Sequence, residues 1–237
     1  MGFGQMISLR HMKAVIFDFD GTLAVLNIDF SFMTQQVLEL MRQFGVDRGS
    51  VKERYLLEII DEVFQILAKD DASNAQAFYE KAHLILHEIE MEAAGKGRLI
   101  PGAEETLRDL REKGIKVGIV TRNCEDAVRK VFPEIEARCD IFVSRNSVRK
   151  VKPHPDHLRY VLNALGIRRE ETAMVGDHII DIEAGKRAGM MAIGVLTGRT
   201  KREDFEKAGA DDILTQASDL RTLLKGGGDG KENDSDG

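Results

Sequence analysis

The sequence predicts an α/β fold: a parallel sheet covered by helices on both faces, with an α-helical cap inserted after the first strand. Three observations predict it. Five short segments are apolar at nearly every position, the mark of strands buried on both faces. Helix-length stretches ending in glycine lie in three of the four gaps between these strands, and the alternation implies parallel pairing. Between Leu26 and about Arg98 the alternation stops, and only helical periodicity remains.

The first strand is "AVIFDF" at 14–19; the others are "KVGIVT" at 116–121, "DIFVS" at 140–144, "TAMVG" at 172–176 and "MAIGVL" at 191–196. The intervening helices are "PGAEETLRDLREKG" at 101–114, with proline expected in the first turn, "PDHLRYVLNALG" at 155–166 and "DIEAGKRAG" at 181–189. In the insertion, Met33, Val37, Leu40, Met41 and Phe44 repeat with helical period. So do Leu56, Ile60, Val63 and Leu67, and then Phe78, Ala82, Ile85 and Ile89. Three or more amphipathic helices without a strand form a small bundle, expected to act as a lid over the exit of the first strand. The boundaries follow: an extension at 1–12, a core of 13–26 and 99–225, a helical cap at 27–98, and a disordered tail at 226–237, where "GGDGKENDSDG" has almost nothing to bury.

Of 237 residues, 40 are acidic and 34 basic, for a formal charge of -6, so no basic surplus invites a nucleic-acid backbone. No run of 18 apolar residues suits a membrane, and the N-terminus lacks the apolar region of an export signal. The two cysteines, Cys124 and Cys139, fit no metal spacing and are too few for a disulfide framework, so a cytoplasmic protein is expected.

The chemistry concentrates at strand ends. In open parallel sheets, ligands bind outside the carboxyl ends of the strands, near the point where strand order reverses. Asp18 and Asp20 follow the first strand in "KAVIFDFDGTLAV", Thr121 follows the second, and Asp177 follows "AMVG". Carboxylates gathered in this way repel one another, and a site that keeps several ionised usually holds a cation. An oxygen-only set favours Mg²⁺. Asp177 and Asp181, four apart in "GDHIID", would be relieved by such a cation or by a lysine, for which Lys152 in "KVKPHPD" is the candidate. One carboxylate of the first pair can attack phosphorus and form an acyl phosphate. The other, two residues on, can protonate the leaving oxygen and later deprotonate water. Gly21 permits a sharp turn and close approach to a phosphate. Thr121, the amides after it and Lys152 can stabilise the transferring phosphoryl group.

With "DFDGT", "VTRN", "KPHP" and "GDHIID" in order, and with "LIPGAEETLRDLREKGIKVGIVT" and "AGADDIL", the chain from about Lys13 to Leu224 resembles the haloacid dehalogenase superfamily. The likeness is to its phosphoglycolate-phosphatase-like branch with a helical cap. The resemblance implies a Rossmann-like core, Asp18 as nucleophile, Asp20 as general acid/base, and Thr121 and Lys152 as phosphate binders. It also implies Mg²⁺ held by Asp18, the Asp20 carbonyl and Asp177, with Asp181, Gly21 and Thr22 in support. The expected function is hydrolysis of a small phosphorylated metabolite through an aspartyl-phosphate. The alternatives are a phosphosugar mutase on the same scaffold and a phospho-ligand binding module without turnover. Dehalogenase relatives typically lack a carboxylate where Asp20 stands.

Two departures stand out. "AVLNIDF" is apolar where many relatives carry an Asp, so the junction with the cap is atypical. Arg122 replaces a smaller polar residue and either reads a second anionic group on the substrate or faces solvent. Taken alone, each motif reads blandly: an Asp-Gly turn, a capped helix, a stiff turn with a solvated lysine. Their coincidence on successive strands is what points to an enzyme. His154 and His178 are expected at the surface or behind the site, and Cys124 is expected to be inert.

Overall fold

The computed structural model describes residues 11–225; the extension's first ten residues and the tail at 226–237 lie outside the described residues. The chain divides into two compact units, one taking the segments up to Val25 and from Gly97 onward, the other Leu26–Lys96.

The first unit begins with β1 (Ala14–Asp18), whose five residues are all buried, and turns into a short β2 (Ala24–Val25). After the helical unit, β3 (Arg98–Leu99) pairs antiparallel with β2. There follow α4 (Ala103–Glu112), β4 (Lys116–Val120), α5 (Glu125–Val131), α6 (Ile135–Arg138) and β5 (Ile141–Val143). The second half runs α7 (Asp156–Leu165), β6 (Thr172–Gly176), α8 (Ile179–Ala188) and β7 (Met191–Val195), then α9 (Arg202–Ala208), β8 (Asp212–Leu214) and α10 (Leu220–Lys225). The six-stranded parallel sheet has the order β5-β4-β1-β6-β7-β8.

That order places β1 at the switch point. From β1 the chain builds outward through β4 and β5 on one side and later through β6, β7 and β8 on the other, so the loops after β4 and β6 diverge across the end of β1. The register aligns Asp18 with Val120, so Thr121 follows one step beyond. Ile16, Val120, Val161, Leu162, Met174 and Ala184 pack into one core cluster between sheet and helices, and Phe205 fills a second with Ile182 and Ala192. The all-apolar strands are the consequence of burial on both faces.

Two local expectations need correction. Pro101 precedes α4 rather than occupying its first turn, because Gly102 takes the cap position at φ +85°. The sheet also has a sixth strand, β8, which the sequence pattern does not mark as one.

The helical unit contains α1 (Phe30–Gln43), α2 (Leu56–Leu67) and α3 (Ala72–Ala94), with no strand among its described residues. Asp29 caps α1 by accepting the Phe32 N–H at 2.9 Å, and Asp71 caps α3 by accepting those of Ser73 and Asn74. α3 packs on both other helices, and Phe44 meets Phe78 edge to face at 5.5 Å. The buried stripe of α3 runs Ala75, Phe78, Ala82, Leu86 and Glu90, so Ile85 and Ile89 are only half-buried. In a helix of 23 residues the drift of the 3.6 period rotates the contact line away from them.

Candidate active site

β1 delivers Asp18 buried at its carboxyl end, and the chain then turns tightly: Leu23 and Ala24 N–H both donate to Phe19 O at 2.9 Å, and Gly21 N–H donates to Ala24 O. Gly21 takes φ +86°, and a Cβ there would lie 2.3 Å from Asp177 Oδ2. Glycine is therefore required twice at this position, for the turn and for the approach of Asp177. Asp20 bridges to Ala24 within the turn, and its charge acts on both Asp18 and Asp177.

The loop before α7 brings in Lys152, which is 1% exposed. Its Nζ donates to Asp18 Oδ1 and to Asp181 Oδ1, each at 2.6 Å. Asp181 lies in the first turn of α8, and its other oxygen accepts the His178 N–H at 3.1 Å. With both oxygens so engaged, Asp181 fixes the lysine. Carboxylate oxygens of Asp18, Asp177 and Asp181 lie within 4.8 Å of one another.

Such crowding shows in the acidities. Burial pushes the Asp18 carboxyl up to about 7 even though Lys152 pulls it down. Burial, reinforced by Asp18 and Asp181, pushes Asp177 up to about 9. Lys152 is held above its ordinary value, since the two carboxylates outweigh the desolvation that opposes its charge. One ammonium among these carboxylates leaves negative charge uncompensated, and the oxygen-only donor set suits a hard divalent cation.

β4 ends in Thr121, which is buried; its N–H donates to Val143 O at 3.1 Å and its Oγ1 accepts the Asn123 N–H at 3.1 Å. Thr22 Oγ1 and Asn123 Nδ2 are buried without a hydrogen-bond partner among the described residues. Buried polar atoms of that kind are uncommon, and here they are fit to receive a ligand's oxygens. Arg122 is half-buried and donates from Nη1 to the Lys152 carbonyl, so one of its donors braces the lysine loop.

The site thus gathers Asp18, Asp20, Gly21, Asp177, Asp181 and Lys152, with Thr121 at the end of the adjacent strand. His178 is exposed and accepts the Ile180 N–H, His154 accepts that of Asp156 at 3.3 Å, and both cysteines are buried thiols outside any disulfide. Sequence reasoning missed three contributors. Thr197 Oγ1 donates to Gly21 O at 2.5 Å, and a Cβ at Gly198 would sit 1.9 Å from Asp177 Oδ2, so the loop after β7 backs the carboxylate cluster. The third, His157, is fully buried beside Lys152. The glycine in "LTGRT" just past a buried strand is the one signal that pointed there.

A parallel sheet with paired carboxylates at its switch point, and a buried lysine clamped between two acids, defines a hydrolase of the haloacid dehalogenase-like class. The model of the haloacid dehalogenase-like hydrolase family matches residues 15–195, and the chain belongs to that family. Among its relatives, the pyrophosphatase PpaX of Bacillus mycoides is 29% identical over 90% of this chain and 97% of its own. A haloacid dehalogenase-like hydrolase domain-containing protein of Arabidopsis thaliana is 30% identical over 90% of this chain and 84% of its own. The crystal structure of a predicted phosphoglycolate phosphatase from Haemophilus somnus superposes with a TM-score of 0.61, at 19% identity, over 90% of this chain and 98% of that one; it carries the fold.

Proposed function

We propose that the protein is a Mg²⁺-dependent phosphomonoester hydrolase that acts on a small phosphorylated metabolite through an aspartyl-phosphate. The observation that carries this reading is Asp18, buried at the switch point and gripped by Lys152, with Asp177 beside it. The name of one relative, a pyrophosphatase, supports hydrolytic phosphoryl transfer.

In the first step an Asp18 oxygen attacks phosphorus, the bond from phosphorus to the leaving oxygen breaks, and Asp20 gives that oxygen its proton. In the second, water attacks the acyl phosphate, Asp20 takes the water's proton, and phosphate leaves with the Asp18 carboxylate restored. Lys152 keeps Asp18 oriented and offsets charge on the transferring group, while Thr121, Thr22 and Asn123 supply donors to its oxygens. Asp18, the Asp20 carbonyl and Asp177 would hold Mg²⁺, which when bound neutralises charge on the phosphoryl oxygens. Two buried cysteines outside any disulfide suit a reducing compartment, and the proposed enzyme works in the cytoplasm.

The test is phosphate release from a panel of phosphorylated metabolites, with Mg²⁺ and with chelator, comparing the native protein with Asp18→Asn. Release that needs both Mg²⁺ and Asp18 establishes the hydrolase, and the order of substrates names the class. A phosphoryl group moved within a sugar would make it a mutase. Tight binding of phosphorylated ligands without release would make it a binding module.

A further inference from the structure

Behind the lysine lies a buried histidine that the hydrolase mechanism does not use. His157 sits in the first turn of α7, with no exposed surface. Its Nδ1 lies 3.2 Å from the Lys152 main-chain nitrogen, and its Nε2 lies 3.3 Å from the Val143 carbonyl oxygen at the end of β5. The amide of Lys152 can only donate, so Nδ1 accepts, and the neutral ring carries its proton on Nε2 and donates it to Val143 O. That same carbonyl accepts the N–H of Thr121 at 3.1 Å. One imidazole therefore joins the backbones that carry the two proposed phosphate-binding residues, Lys152 and Thr121.

We infer that His157 is a positioning residue, a neutral bridge that sets the distance between Lys152 and Thr121 so that both meet the same phosphoryl group. The inference rests on the hydrolase reading for the roles of those two residues. Its geometry is independent of it. The other main-chain end of Lys152 is braced as well, since Arg122 donates to the Lys152 carbonyl, and Arg145 donates to the Arg122 carbonyl at 3.1 Å. With both its amide and its carbonyl held, Lys152 presents its side chain from a fixed base. Burial and the neighbouring charges of Lys152 and Arg122 push the imidazole down to about 3, so the bridge stays neutral wherever the enzyme works.

A packing role and a positioning role predict different kinetics. In His157→Asn the amide oxygen takes the place of Nδ1 and keeps the bond from the Lys152 N–H but not the one to Val143. In His157→Gln the longer amide serves Val143 and leaves the Lys152 N–H unpaired. Each variant cuts one arm of the bridge, so with p-nitrophenyl phosphate as substrate both should lower kcat about 10- to 100-fold with KM little changed. A kcat kept within about 3-fold of native by either variant, or falling only in proportion to melting temperature, would overturn the inference. Ring ¹⁵N shifts of the native protein at neutral pH give a second reading that needs no variant to fold: an Nε2–H tautomer supports the bridge, and an Nδ1–H tautomer overturns it. If native protein released no phosphate at all, the hydrolase reading would fall, while the tautomer would still decide the bridge.

Discussion

Replacing Lys152 by methionine keeps the side chain as far as Cε and removes the ammonium that, among the described residues, bonds to Asp18 and Asp181. The lysine is 1% exposed, and both of its contacts are 2.6 Å, so solvent can replace none of what is lost. Breaking a buried ion pair by removing one partner costs roughly 3–5 kcal/mol. Asp18 has one escape, which is to take up a proton, and it already holds its proton up to about 7 in the native protein. Without the lysine its folded-state value rises further. A group whose folded value is raised stabilises fully below its unfolded value and loses that contribution as pH rises through the folded one. Hence the penalty of Lys152→Met, measured by urea unfolding in chelator, should reach about 3–5 kcal/mol near pH 8.5 and shrink to about 1–2 kcal/mol near pH 6, where Asp18 is protonated and its part of the loss is reduced to a hydrogen bond. A penalty equal at the two pH values, or below about 1 kcal/mol at the higher, would refute the charge argument.

Gly198→Ala should abolish phosphate release and weaken Mg²⁺ binding measured by calorimetry, because its Cβ would stand 1.9 Å from Asp177 Oδ2; normal turnover would show that the loop yields. Acid should destabilise the native protein through His157: a depressed folded value of about 3 means that stability present above the ordinary 6.5 is lost as pH falls toward 3. The loss should be about 2 kcal/mol at pH ~5, seen as a urea-midpoint shift absent from His157→Asn. Thiol alkylation under native conditions should leave activity intact, since Cys124 and Cys139 are buried and burial pushes the Cys139 thiol up to about 12; inactivation stoichiometric with label at Cys124 would contradict this. Divalent-cation affinity should climb between about pH 6 and 9, because Asp18 and Asp177 must shed protons held up to about 7 and about 9; affinity flat across that range would show that the cation sits elsewhere.

What could be read in the sequence depended on how each signal arises. Strands buried on both faces cannot hide their composition, so β1, β4, β6 and β7 were legible within a residue or two, while β5, with only Val143 buried, was legible from the apolar run "IFV". β8 is three residues, all only half-buried, and too short for any period. β2 and β3 are two residues each and exist only because the chain leaves and re-enters the core at neighbouring points. The carboxylates were legible because topology, not local sequence, gives them meaning, and the alternation of strands and helices had already implied the topology. Arg122 was left between two readings from sequence, and the structure shows a hydrogen bond neither had included: one of its donors meets the Lys152 carbonyl, 30 positions along the chain.

His157 marks the limit more sharply. In "KPHPDHL" it sits three residues after His154, and nothing local distinguishes the two. One accepts a neighbouring amide at the surface, while the other is swallowed where α7 meets the end of β5. The difference is made by the Val143 carbonyl, which arrives from another strand and offers its second lone pair after Thr121 has taken the first. Ligands to phosphorus and metal must project from strand ends, and so they leave a pattern in the chain. The groups that space those ligands are recruited from whatever the packing brings near. For that reason the residues of the proposed site could be picked out from sequence, and their spacing could be read only from the folded chain.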